Sequence, residues 1–199
     1  MADSALQLEQ ETIRRLGLAI VEYPMFLDGA PYPVSMSMSR EEKDALRLVL
    51  KDKDKKVTTS GLREEDLLRA YRAAKGDKVL SIHQSGKAST ATSVLIRNVS
   101  QEYPELDGSF IDSGFLAAAY SVLVQQLAES VAGGKDFKAA MADFETARSA
   151  TRHLGVVYDL FYLYRTGRIG LVKAALGTAM KIVSLLGSSE IPGEIKAIG

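Results

Sequence analysis

Short apolar runs alternate along this chain with helical stretches, and each run empties into a polar or glycine-bearing loop before the next helix starts. Lys78 to His83 is the plainest case: it runs into Gln84-Ser85-Gly86-Lys87, and a helical pattern follows from about Ser89. This order constrains the fold more than any other feature. Strands linked by crossover helices lie parallel in one sheet with helices on its faces, so the expected class is α/β.

The pattern predicts a first helix from a cap at Asp3 or Ser4 to about Leu16, where Gly17 stops it. Leu18 to Leu27 reads as strand, interrupted at Pro24 and closed by Asp28-Gly29. Ser39-Arg40-Glu41-Glu42 has the form of a capping box, with Leu46, Val49 and Leu50 on one helical face behind it. A third helix covers about Arg63 to Ala74, and Ser109 to Asp112 is a second short strand. The stretch from Phe115 to about Val131 is apolar almost all round, which predicts a buried helix. Asp136 caps a helix ending near His153, Leu154 to Tyr158 is strand, and Asp159 to Tyr164 is helical. Leu171 to Ile182 forms a last apolar helix, ahead of extended pieces at Val183 to Leu186 and Glu194 to Ile198.

Composition removes several functions. Lys+Arg and Asp+Glu are 25 each, so there is no basic excess with which to neutralise nucleic-acid phosphates. Cysteine is absent, which excludes disulfides, thiolate catalysis and Cys-ligated zinc, and the two histidines, His83 and His153, leave little for a metal site. No cofactor is expected. The longest near-apolar run, Phe115 to Val124, is shorter than the about 20 residues that a bilayer span takes. Met1-Ala2-Asp3 opens with neither a basic nor an apolar leader region, so the expectation is a cytoplasmic protein.

Two segments place hydroxyls at helix starts, where unpaired backbone N–H groups and the helix dipole attract anions. These are Thr58-Thr59-Ser60-Gly61 and Ile82 to Thr90. Converging at the ends of neighbouring strands they would bind a carboxylate or phosphate; separately, they would be plain helix caps. Gly86-Lys87-Ala88-Ser89 is not a phosphate loop, because Ser81 stands where that pattern needs glycine and Ala88 follows the lysine. His83 and Ser85 suggest a nucleophile and its base, yet no nucleophile elbow surrounds Ser85, and a structural histidine is the competing reading. Asp112 reads as a cap for the following helix and His153 as a partner for the last carbonyls of its own. Gly167 and Gly170 bracket Arg168, giving a turn that projects one guanidinium towards an anion or into solvent.

Asp3-Ser4, Val57-Thr58-Thr59-Ser60, Leu80 to His83 with its Ser85 to Ser89 loop, Ile111-Asp112-Ser113 and Leu163 to Gly170 form an ordered set. In that order and spacing the chain resembles the DegV family of bacterial fatty-acid-binding proteins. The resemblance implies an α/β/α domain over 1–153 and the start of a second, smaller α/β domain over 154–199. It also implies a carrier without catalysis of its own, holding one long-chain fatty acid in an apolar tunnel and presenting it to a separate ATP-binding kinase subunit. Position by position, Thr59, Ser60, Ser85 and Ser89 match the carboxylate-binding residues, and Arg168 matches the arginine beside the head group. The tunnel floor is expected in the helices carrying Leu116 to Leu127 and Leu171 to Ile182, most of whose side chains read as simple core.

The chain departs from the family at Gly61-Leu62-Arg63, where Gln-Pro-Ser is usual, and in the loop, which has lost one serine and the closing Gly-Thr. Only Met1-Ala2 stands where the family has an apolar strand, and family chains run on beyond Glu194 to Gly199, so a trimmed chain or a shortened relative is expected. Two other functions stay open on the residues alone: a small hydrolase or phosphotransferase using Ser85 with His83, and a degenerate relative that binds nothing.

Overall fold

The computed structural model describes residues 1–74, 78–105, 108–160, 162–163, 166, 183–189 and 194–198. In chain order the elements are β1 (Ala2–Asp3), α1 (Gln10–Arg15), β2 (Ile20–Val21), β3 (Met25–Leu27), β4 (Ala30–Tyr32), α2 (Arg40–Lys51), β5 (Val57–Thr59) and α3 (Glu64–Ala73). They continue with β6 (Val79–His83), α4 (Thr90–Glu102), β7 (Gly108–Asp112), α5 (Ala117–Ala132), α6 (Phe137–Ala150), β8 (Leu154–Val157), β9 (Ser184–Ser188) and β10 (Ile195–Ala197).

The expected α/β class holds. Strands β2, β1, β6 and β7 lie parallel in that order, with α1 crossing from β1 to β2 and α4 from β6 to β7. Alternation along the strands divides the core in two. Ile82 and Ile111 face Ile13, Tyr120, Leu123 and Phe144, while Val79 and Phe110 face Leu67, Tyr71 and Val99. The sheet is thus covered on both faces, by α1, α5 and α6 on one and by α3 and α4 on the other. Two antiparallel sheets stand beside it among the described residues, β4-β3-β5 and β10-β9-β8.

Several expectations are corrected. Asp3 does not cap a long first helix; it ends the central strand β1, fully buried, and the helix begins only at Gln10. Ala2 donates its amide to Ala19 O and Met1 O accepts from Ile82 N, so this short strand is paired on both sides. The helix α5 is not buried all round: Tyr120, Leu123 and Val124 are core, but Val122 and Val131 are about half exposed. Asp112 caps no helix; its two carboxylate oxygens take the amides of Gly86 and Gly114 and so tie together the loops after β6 and β7. His153 lies past the end of α6, where its backbone exchanges hydrogen bonds with Ser188 of β9 rather than capping α6 with its ring. Burial lowers its pKa, partly offset by a hydrogen bond with the Leu116 backbone.

The capping box at Ser39 and Glu42 and the Asp136 cap form as read. The Leu171 to Ile182 helix, the turn around Arg168 and the Pro192-Gly193 turn lie outside the described residues.

Candidate functional site

Plain capping does not account for the two hydroxyl segments. The residue at the N-cap of α3 is Arg63, so Thr59 and Ser60 stand free of that helix's first turn. Ser89 does occupy the N-cap of α4, yet its hydroxyl takes no backbone amide there; it donates to Thr92 Oγ1 at 3.0 Å. Nor do the segments follow neighbouring strands of one sheet. Thr59 ends β5 in the antiparallel sheet, whereas Ser89 follows β6 of the parallel one.

What joins them is Gly61. A Cβ on it would lie 2.9 Å from Ala91 Cβ and 3.3 Å from the Ala91 carbonyl carbon, so the β5–α3 loop lies directly on the start of α4. The departure from the family's usual residue at this place thus has a structural setting: here the loop packs on the Ala91 methyl with no side chain of its own between them.

Thr59, Ser60 and Ser89 line one cavity of about 840 Å³, within the range of small-molecule pockets. Its apolar wall includes Leu6, Leu8, Met25, Met36, Met38 and Leu46. Methionine is unbranched and flexible, so three of them make a wall that fits chains of differing shape. Gln84, Tyr23 and Ser4 add polar atoms beside the serines. Glu22 also borders the cavity, its carboxylate satisfied by the Ser35 hydroxyl at 2.8 Å and the Met36 amide at 3.0 Å. Lys43 of α2 stands exposed at the rim.

Ser85 is placed differently. It is fully buried beneath the loop and does not border the cavity. Its amide donates to Phe115 O, and its carbonyl accepts from Ala88 and Ser89, closing the turn that presents Ser89. Of the expected tunnel floor in α5 and its approach, Leu116 reaches the cavity, while Leu123, Val124 and Leu127 belong to the sheet-facing core. Arg168 lies outside the described residues.

His83 is a buried structural residue with an orienting carboxylate that sequence alone did not name. Its Nδ1 lies 3.2 Å from Asp3 Oδ2 and its Nε2 lies 2.6 Å from Ser81 Oγ, all three residues being buried. Both ring nitrogens are thereby committed to residues other than Ser85. Asp3 further accepts the amides of Ala5 and Gln84 and the Tyr23 hydroxyl, and Thr92 donates to Tyr23 at 3.1 Å. Burial, with the Asp3 charge second, pushes the Tyr23 phenol up to about 12. Sequence reasoning missed Tyr23, whose isolated position between two short strands carries no signal of a role.

Among the described residues, no group of three or more His, Asp or Glu could hold a metal ion, and no helix is long and apolar enough to cross a membrane.

A parallel α/β/α sheet whose strand-end loop meets a second hydroxyl loop over an apolar cavity defines an α/β protein with the architecture of a small-ligand binder. The chain belongs to the DegV family: the family model, described as an uncharacterised protein of that family, matches residues 1–199. A DegV domain-containing protein of Halalkalibacterium halodurans is 29% identical over 191 residues, covering 94% of this chain and 65% of the relative. A DegV family protein from Thermus thermophilus, solved for its fatty-acid binding, is 29% identical with a TM-score of 0.79, covering all of this chain and 69% of that one. A stearic-acid-binding protein from Eubacterium ventriosum shares the fold at 23% identity and a TM-score of 0.81, again over all of this chain and 68% of its own. The chain spans about two thirds of the length of these relatives.

Proposed function

We propose that this chain binds one long-chain fatty acid in the cavity of about 840 Å³, with the carboxylate at Thr59, Ser60 and Ser89 and the acyl chain along the methionine-lined wall. The observation that carries this reading is a single cavity in which hydroxyls from two separate loops stand at one place and apolar side chains line the rest. Each methylene taken out of water contributes about 0.8 kcal/mol, so the acyl chain supplies most of the affinity. Hydrogen bonds to the charged head group contribute about 1.5–3 kcal/mol each and fix its position. Ser85 acts from beneath, through the turn that it closes. Fatty-acid binding by the Thermus thermophilus relative and stearic-acid binding by the Eubacterium ventriosum protein of the same fold support the choice of ligand.

The chain is a carrier and does no chemistry of its own. A separate ATP-binding kinase subunit docks over the mouth, and a carboxylate oxygen of the presented fatty acid attacks the γ-phosphorus of its ATP, giving an acyl phosphate and ADP. Arg168, which matches the family's arginine beside the head group, is the residue assigned to stabilise the developing phosphoryl charge. In this reading residues 1–153 form the α/β/α domain and 154–199 belong to a second α/β domain, and the protein works in the cytoplasm.

Denaturing extraction followed by mass spectrometry tests the ligand: a stoichiometric long-chain fatty acid is expected, and an empty protein that also fails to bind added fatty acid overturns the reading. Thr59→Ala and Ser89→Ala should each weaken binding of a fluorescent fatty acid by about ten- to a hundredfold. Unchanged dissociation constants in both variants move the head group elsewhere.

A further inference from the structure

Strands β1 and β6 are neighbours in the parallel sheet, and the chain leaves them in opposite directions: α1 leads from β1 out to β2, and α4 from β6 out to β7. Loops that part in this way open a crevice at the carboxyl ends of the two strands, where sheets of this kind hold their ligands. Ser4 is the first residue after β1 and Gln84 the first after β6, and both border the cavity.

Donor protons decide what an anion finds there. A hydroxyl carries one proton and two lone pairs, whereas a backbone amide only donates. The Ser4 amide extends the β1–β2 ladder by donating to Val21 O at 3.0 Å. The Tyr23 amide then donates to Ser4 Oγ at 2.9 Å rather than to a backbone carbonyl. This bond holds the Ser4 oxygen in place through a lone pair and leaves its proton unspent, and no acceptor among the described residues takes that proton. Ser60 and Ser89 differ. The Ser60 hydroxyl donates to Gly61 O at 2.9 Å and the Ser89 hydroxyl to Thr92 Oγ1 at 3.0 Å, so each gives up a bond before it can serve a ligand. Across the crevice, the Gln84 backbone is fixed by its amide on Asp3 Oδ2 at 3.0 Å, and its half-buried side chain brings two N–H donors.

We propose that Ser4 and Gln84, at the point where the chain leaves β1 and β6 in opposite directions, are further head-group donors, and that Ser4 sets the preference for a free carboxylate over a neutral head group. The inference rests on the ligand and cavity proposed above and extends the head-group site from the two hydroxyl loops to the strand ends. Ser4 meets an arriving carboxylate without giving up any internal bond, so its contribution is not offset by a loss elsewhere. Hydrogen bonds to a charged acceptor are about twice as strong as those to a neutral one, which makes such a donor selective for the anion. The carboxylates of Asp3 and Glu22, at the ends of β1 and β2, are already met by donors. Asp3 accepts the Ala5 and Gln84 amides and the Tyr23 hydroxyl, and Glu22 accepts the Ser35 hydroxyl and the Met36 amide.

The test is calorimetric titration of the full chain with dodecanoate and with methyl dodecanoate, which has the same acyl chain and a neutral head group. Ser4→Ala should weaken dodecanoate binding by about ten- to a hundredfold and methyl dodecanoate binding by less than about fivefold. Gln84→Leu changes a half-buried loop side chain and should weaken dodecanoate binding by about fivefold or more, again with a smaller loss for the ester. Unchanged dodecanoate affinity in Ser4→Ala overturns the proposal. So does an equal loss for acid and ester, which would make Ser4 only a support for the Tyr23 amide. Should Ser4→Ala fail to fold, Gln84→Leu decides, and unchanged affinity or an equal loss for the two ligands overturns the proposal there. No dodecanoate binding by the wild type overturns the proposed ligand as well, which separates the two failures.

Discussion

Tyr120 holds the Asp3 backbone in place: its hydroxyl accepts the Asp3 amide at 3.0 Å and donates to Ile82 O at 3.0 Å. One phenol on α5 thus satisfies a group on β1 and a group on β6, at the centre of the parallel sheet. Tyr120 is fully buried, and water cannot take its place. Tyr120→Phe should therefore leave both an amide and a carbonyl unpaired and cost about 2–4 kcal/mol. Urea unfolding measures this directly; a loss below about 0.5 kcal/mol would mean that the two backbone groups find each other without the phenol.

The Gly61–Ala91 contact joins the two hydroxyl loops, so it controls stability and site geometry together. Gly61→Ala places a methyl carbon 2.9 Å from Ala91 Cβ, so the loop or the start of α4 must shift, at an expected cost of about 1–3 kcal/mol. Fatty-acid affinity should fall too, because Thr59 and Ser60 move away from Ser89. The double variant Gly61→Ala with Ala91→Gly removes the Cβ–Cβ overlap and should recover part of both losses. Equal losses in single and double variants would show that the clash lies elsewhere.

Alkaline pH should destabilise the protein in a defined window. Burial pushes the Tyr71 phenol up to about 12, and burial with the Asp3 charge does the same for Tyr23, against 10.0 for the unfolded residue. With the folded value above the unfolded one, the native state keeps protons that the unfolded chain releases. This contribution is fully present below the unfolded value of 10.0 and is lost as pH rises through about 12. Denaturant midpoints measured over that window should fall with pH, and Tyr71→Phe should fall less steeply. A midpoint that stays constant would contradict the placement of these two phenols.

Arg168→Ala separates binding from presentation. Where solvent screens a guanidinium it adds little to ground-state affinity, so the proposed role at the pocket mouth predicts that fatty-acid binding weakens by less than about tenfold, or 1.4 kcal/mol. Acyl-phosphate formation with the kinase subunit should fall by roughly a hundredfold or more, the scale of losing one preorganised charge contact in a closed site. Equal losses in the two assays would make Arg168 a ligand anchor only.

The sequence by itself determined the α/β class, the strand read over Lys78 to His83, which forms as Val79–His83, the capping box at Ser39, the Asp136 cap and the positions of the hydroxyl-bearing loops. These features are local: period, cap chemistry and turn residues act within a few positions, and a linear reading resolves them. It misread Asp3, because a two-residue strand has no period and an aspartate ahead of a helical pattern looks like a cap. The tertiary structure decided the rest. Asp3 meets His83 across 80 positions and Tyr23 reaches Thr92 across 69, contacts fixed by strand order in the parallel sheet. Thr59 and Ser89 come to one cavity from two different sheets because Gly61 packs on Ala91. Such distant contacts follow from how the layers pack as a whole, and no segment short enough to show a pattern contains both partners.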